Sequence, residues 1–384
     1  MDESAAAALP EVLPVLAALV RIPSVNPTLD PVAGGGEAAI ARWAHGWLES
    51  HGLRSRLEEA APGRPNVVAE TGGGEPTLVL CAHLDTVSSQ GMTIPPFTAR
   101  VENGRLYGRG AYDMKGSAAA VMVAAAALAR QRVAGRLVVA LVVDEEHASL
   151  GAQHFLAHHR ADGCILTEPS EGALVLAHKG FAWLEVTTTG RAAHGSRWDL
   201  GVSAIAEMGR AIVALERFDA EVLRRRVHPL VGPASQHCSL VTGGAGLSTY
   251  AERCVLSVER RTLPGEAAEP AVEELREVLA GAGVAAEVRL VLSRPPLTCL
   301  PDSPVARAVR EAATAVCGAP PPEVGVGYWM DAALFAAAGI PTVDYGPAGA
   351  GAHEAVEWVD VASVTRCARV LEAAARSFFA AGGR

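Results

Sequence analysis

The stretch Leu78-Val-Leu-Cys-Ala-His-Leu-Asp-Thr-Val87, continued by Gly108-Arg-Gly-Ala-Tyr-Asp-Met-Lys-Gly116, decides how the rest of the chain is read. Its first half is a short apolar run of the kind that forms a buried strand. His83 and Asp85 stand at the end of that run, and the second half delivers Asp113. Side chains alternate faces along a strand, so His83 and Asp85 can project to one side. A carboxylate beside a histidine is the usual means of fixing a metal ligand's orientation and tautomer. From this stretch alone, a core histidine paired with Asp85 is as good a reading as a metal ligand.

Working outward, the pattern alternates. Residues 4–20 and 37–52 carry apolar side chains at helical spacing, and 66–70 reads as a strand. A helix over 116–130 leads to the apolar run 136–143, which stops at Asp144-Glu145-Glu146. A helix near 151–159 precedes the short strand 164–167, which stops at Glu168. This alternation predicts an α/β fold with a mostly parallel sheet and helices on both faces. From about residue 180 the pattern changes: strand 181–190, helix 201–218, strands 237–244 and 253–261, helix 267–280, strand 286–292. The order β-α-β-β-α-β predicts a ferredoxin-like unit inserted into the first domain. The expected division is a catalytic domain over 1–179 and 296–384, and an inserted domain over 180–295. Past residue 296 the first pattern resumes, with helices at 304–317 and 331–338 and a strand at 340–345. A Gly-rich loop holding His353 follows, and Asp360 caps a final helix that runs to about Phe379.

Composition narrows the function. Of 384 residues half are hydrophobic and a fifth charged, which readily builds a globular core. The formal charge of −9 leaves no basic footprint, which argues against a nucleic-acid partner. The seven cysteines are scattered, odd in number and lack a CxxC pair. That pattern fits a reducing compartment and argues against a thiolate metal site, so any metal is held by His and carboxylates. The start Met-Asp-Glu-Ser has no basic signal-peptide region, and the longest apolar run, 118–129, is too short to span a bilayer. The expectation is a cytoplasmic protein with no membrane partner.

His83/Asp85, Glu145/Glu146, Glu168 and His353 all sit just past the ends of apolar strands. In open α/β sheets such positions converge at the carboxyl ends of the strands. Two histidines and three carboxylates, one of them bridging, suit two ions. The N/O donor set favours zinc, with cobalt or manganese as substitutes. Asp85 and Glu145 are then left over, one to orient His83 and the other to take a proton from water.

The motifs HLDTV (83–87), GRGAYDMKG (108–116), VVDEEH (142–147), LTEPS (166–170), GRAAHGS (190–196), ERRTLPGE (259–266) and GPAGAGAHEAVEWV (346–359) occur in a telling order and spacing. Together they resemble the dinuclear-zinc amidohydrolase and peptidase family that includes acetylornithine deacetylase, succinyl-diaminopimelate desuccinylase, aminoacylases and glutamate carboxypeptidases. The resemblance spans nearly the whole chain. It implies His83 and Glu168 as ligands of one ion, Glu146 and His353 as ligands of the other, and Asp113 as the bridge. It implies Glu145 as the general base and acid that activates a bridging water, and Asp85 as the carboxylate orienting His83. The inserted domain is implied to act as a lid and as the contact of a homodimer. His194 matches a histidine that polarises the scissile carbonyl, in its own or the partner subunit's site. Arg261 matches an arginine assigned to the substrate carboxylate, a task suited to a bidentate guanidinium.

Three positions depart from the family pattern. His147 replaces a common glycine and reads as a surface residue. Ser248, in GGAGLS, stands where an amide side chain is usual and weakens a substrate contact. Ala251 replaces a common proline. The expected activity is hydrolysis of the amide bond of an N-acyl amino acid, a small molecule with a free carboxylate. The alternatives are a dipeptidase or glutamate-type carboxypeptidase and, in another class, a non-catalytic amino-acid or peptide binder. The GRGAYDMKG stretch does not have the spacing of a phosphate-binding loop, and no nucleophile elbow is present.

Overall fold

The strand Thr77–His83 is buried along its whole length because it lies at the middle of a sheet. The computed structural model describes residues 11–32, 36–131 and 133–382. Arg136–Val142 and Gly163–Leu166 flank the central strand in parallel, with His83 opposite Val142 and Cys81 opposite Leu166. Thr342–Asp344 extends the parallel set beyond Gly163–Leu166. Strands buried on both faces need continuous apolar sequence, and these have it. On one side Arg64–Gly72 and then Arg54–Ala61 continue the sheet antiparallel. On the other, Leu174–His178 pairs antiparallel with Thr342–Asp344. The mixed α/β architecture with a mostly parallel centre is the expected one.

Helix Gly116–Ala129 packs against the sheet and against helices Val12–Arg21 and Val361–Gly382. Every residue from Gly116 to Leu128 is buried. Its alanines are the reason: small side chains let neighbours approach from all sides. The helix expected over 4–20 is described from Val12 to Arg21, and its first residues lie outside the described ones. A small antiparallel sheet unforeseen in the sequence joins Arg100–Glu102, Arg105–Tyr107, Trp358–Asp360 and Gly349–Ala350.

The chain gathers into two compact units. The first holds the described residues through Leu176, together with Cys299–Val324 and the described residues from Met330 onward. The second holds Ala177–Thr298 and Gly325–Trp329. In the second, the antiparallel strands Ser235–Gly243, Arg253–Thr262, Gly180–Thr189 and Ala286–Arg294 lie side by side in that order. Helices Ala204–Glu221 and Glu269–Gly281 contribute Met208, Leu215, Leu275 and Leu279 to a core shared with Leu184, Val186, Leu256 and Val288. The β-α-β-β-α-β order is thus present as expected. Among the described residues, no helix is long and apolar enough to cross a membrane.

Candidate metal centre

His83 closes the central strand. Its Nδ1 lies 2.9 Å from the main-chain oxygen of Asp85 and 3.6 Å from Asp85 Oδ1. The main-chain carbonyl, more than the carboxylate, therefore fixes the ring, leaving Nε2 to face the site. The Asp85 carboxylate does something else as well. It accepts the backbone N–H groups of Glu145 (3.1 Å) and Glu146 (3.2 Å) and an N–H of the Asn26 amide (2.8 Å).

The Glu145-Glu146 pair hangs from a turn at Asp144, whose φ of 68° is left-handed. An aspartate tolerates that region better than most residues. Asn26 (3.0 Å) and Arg64 (2.8 Å) hold its carboxylate, and Arg64 also pairs with the buried Glu37. The turn directs two successive N–H groups at Asp85.

Glu168 follows the strand Gly163–Leu166. Gly346 passes so close that a Cβ there would overlap the Glu168 carbonyl, which explains the glycine opening GPAGAGAHE. His353 lies seven residues further on, with a φ of 62°.

These loops meet at Asp113. Its Oδ1 is 3.2 Å from His83 Nε2, and its Oδ2 is 3.2 Å from His353 Nε2. Glu168 Oε1 lies 3.6 Å from His83 Nε2, and Glu146 Oε2 lies 3.1 Å from His353 Nε2. Two clusters result, His83/Asp113/Glu168 and Asp113/Glu146/His353, with all ligand atoms in each within 4.8 Å of one another. They share the Asp113 carboxylate, which turns one oxygen to each.

The electrostatics describe a pocket with too much negative charge for its protein cations. Burial, with the nearby Asp113 and other carboxylates, pushes the Glu168 carboxyl well above the ordinary range despite His83. Burial and then Glu168 do the same to Glu145; burial and Asp113 raise Glu146. Burial alone would depress His83, but Glu168, Asp113 and Asp85 hold it well above the usual histidine range. Hydrogen bonds to Asp113 and Glu146 push His353 up to about 10. Burial acts to raise Asp113, yet hydrogen bonds from His353 and His83 bring it well below the usual carboxylate range. The buried Oε1 of Glu146 has no hydrogen-bond partner among the described residues. An orphaned carboxylate oxygen, surplus negative charge and one imidazole per cluster all fit a pair of divalent cations.

Three further expected residues are members of neither cluster. His194, Ser248 and Arg261 belong to the second unit. Ser248 and His194 are neighbours there: the Ser248 carbonyl accepts the Gly195 N–H at 2.7 Å. Arg261 Nε sits 2.6 Å from Glu259, and its guanidinium lies over the Phe181 ring. His147 is exposed. Sequence reading missed Asn26, Arg64, Arg109 and Glu357, all buried polar residues tied to the loops of the centre. The one signal for Glu357 was its place four residues beyond His353.

The sequence profile of peptidase family M20/M25/M40 matches residues 79–377. The chain belongs to that family. The acetylornithine deacetylase of Vibrio atlanticus is 33% identical over 263 residues, 67% of this chain and 69% of that protein. The acetylornithine deacetylase of Proteus mirabilis is 30% identical over 280 residues, 71% of this chain and 72% of that one. Among solved structures, the M20 metallo-carboxypeptidase of Sulfolobus solfataricus superposes with a TM-score of 0.79 at 20% identity, covering 99% of this chain and 100% of its own. A dinuclear metal-binding M20 peptidase of Bacillus subtilis gives 0.71 at 19% identity, covering 95% of this chain and 96% of its own. At such identities the structural likeness carries the fold. Membership in the M20/M25/M40 family makes the protein a metal-dependent hydrolase of amide bonds.

Proposed function

We propose that this enzyme removes the acyl group of an N-acyl amino acid with a free carboxylate, using two divalent ions of which zinc is the first choice and cobalt or manganese substitutes. The observation that carries the reading is Asp113, which offers one oxygen to each of two histidine–carboxylate clusters. The acyl-amino-acid substrate class is supported by deacetylases at 30% identity and above, whereas the peptidases matched in structure stand at 20% and below.

His83 and Glu168 would hold one ion and Glu146 and His353 the other, with Asp113 offering an oxygen to each. When bound, such ions polarise the carbonyl and acidify water enough for deprotonation near neutral pH. Glu145 belongs to neither cluster, so its carboxylate is free to take the proton of the attacking water and pass it to the leaving amine nitrogen. Asp85 anchors the main chain of Glu145 and carries the carbonyl that orients His83.

His194 is assigned to the carbonyl oxygen of the substrate. Its Nδ1 accepts the Ser196 N–H at 3.2 Å, so the neutral ring carries its hydrogen on Nε2, as a donor to that oxygen must. Arg261 is assigned to the substrate carboxylate, for which Glu259 is the stand-in partner in the free enzyme. Ser248 borders the segment that carries His194 and offers a shorter polar side chain than an amide.

We assign the second unit to the lid and to homodimer formation. Its strand Ser235–Gly243 is an outer strand of the four-stranded sheet and exposes Leu240 and Val241, an edge that invites pairing with another copy. The seven cysteines are all unpaired, which supports a cytoplasmic location.

The deciding experiment assays metal-reconstituted enzyme in parallel on N-acetyl amino acids, N-succinyl amino acids and dipeptides, with released amines identified by mass spectrometry. Turnover of dipeptides alone overturns the deacylase reading in favour of a peptidase. Full metal occupancy with no hydrolysis of any member favours the binder.

A further inference from the structure

Glu357 has no part in the chemistry above, yet it is one of the most completely bonded carboxylates in the first unit. Its side chain is 1% exposed. Oε2 accepts Arg109 Nη1 at 2.8 Å and the Gly110 N–H at 2.9 Å. Oε1 accepts the N–H groups of Tyr112 and Asp113, each at 3.0 Å. A single carboxylate thus takes three main-chain donors from the turn that carries Asp113.

Arg109 extends the grip. Its side chain is 2% exposed, Nε donates to the Ser88 carbonyl at 3.1 Å, and Nη2 donates to the Glu354 carbonyl at 3.2 Å. Ser88 follows the His83–Asp85 strand end, and Glu354 is next to His353. The Gly108 N–H also reaches the Glu357 carbonyl at 3.1 Å, and Trp358 pairs in register with Tyr107. One buried ion pair therefore joins the loops that supply His83, Asp113 and His353.

We propose that Glu357, with Arg109, is a positioning residue: it sets the main chain of Asp113 so that the two carboxylate oxygens divide between the clusters, and thereby sets the affinity of both ions. The proposal rests on the dinuclear reading above. Ligand distances in metal sites tolerate only about 0.2 Å, whereas shortening the anchor by one carbon–carbon bond draws the turn by about 1.5 Å. A pair that merely filled the core would have no reason to hold three N–H groups of one ligand-bearing turn.

The test uses the full chain, stripped of metal and reloaded with cobalt(II) or zinc(II), with affinity measured against a chromophoric chelator. Three variants are compared with wild type. Glu357→Gln removes the charge. Glu357→Asp keeps a counter-charge for Arg109, and so the fold, but shortens the anchor. Glu274→Gln breaks a buried-edge ion pair with Arg260 in the second unit, as a control for stability alone. Both Glu357 variants should bind both ions about 10–100-fold more weakly. Their cobalt absorption should change, and kcat should fall with KM near wild type. Glu274→Gln should lower the melting temperature of the metal-free protein and leave metal affinity untouched. Folded Glu357 variants that bind two ions with wild-type affinity and absorption overturn the proposal. A wild-type chain that takes up fewer than two ions overturns the dinuclear reading beneath it instead.

Discussion

The two clusters share Asp113 but are held in different ways. His83 ends the central strand of the sheet and is almost wholly buried, and Glu168 follows the neighbouring parallel strand. His353 sits on a loop with a left-handed φ, its side chain 53% exposed, although that of its partner Glu146 is only 6% exposed. One cluster takes its geometry from the hydrogen-bonded sheet; the other takes half of its geometry from a loop that borders solvent. A deep cluster and a rim cluster are thus joined by one carboxylate that meets each through a different oxygen. The rim ion should exchange faster and leave first.

Removing the shared group should have the largest effect. Asp113→Ala should abolish binding at both clusters and reduce turnover to background, as checked by elemental analysis and assay; retention of the deep ion would show that the two are independent. Glu145→Ala should lower turnover by about 10²–10⁴-fold while both ions remain, because the clusters are complete without it. Near-normal turnover with full metal content would remove Glu145 from the mechanism. Next, graded chelation followed by metal analysis should release one ion well before the other. His353→Ala should keep one tightly bound ion, whereas His83→Ala should weaken the deep site; simultaneous release of both ions would mean that the two sites do not differ.

The smallest effect is one of pH on the metal-free chain. His353 is raised to about 10 from a usual 6.5 by hydrogen bonds to Asp113 and Glu146. Between those values the native chain holds a proton that the unfolded chain has released. The stabilisation is complete below about 6.5 and disappears as pH rises through about 10. The melting temperature of chelated protein should therefore fall across that window, and His353→Ala should reduce the slope. An unchanged slope would mean that the exposed ring is screened by solvent.

The comparison also explains what the sequence could show. His83, Glu145/Glu146 and Glu168 were legible because each ends an apolar run that announces a buried parallel strand. His353 was legible from the glycines around it. The outermost antiparallel strand was not: Arg54–Ala61 mixes exposed and half-buried residues and carries four charges in eight positions, so no apolar run marks it. The hairpin at 100–107 has strands of three residues, too short for a period. The roles of Glu357 and Asn26 were hard to read for another reason. The donors to the Glu357 carboxylate and the acceptors of the Asn26 amide nitrogen lie 59 to 248 positions away, and such bonds leave no local pattern. The role of the Asp85 carboxylate toward the Glu145 and Glu146 N–H groups escaped notice for the same reason.

The buried helix Gly116–Ala129 begins three residues after Asp113. With neighbours on every side, a larger residue within it has nowhere to expand, and overpacking of this kind costs about 1–3 kcal/mol. The displacement has a short route to the shared carboxylate. In terms of how such a protein can change over generations, its plainest residues are among its least replaceable. A library aimed at new substrates should leave these alanines alone and spend its diversity on the exposed loops around His194 and Ser248.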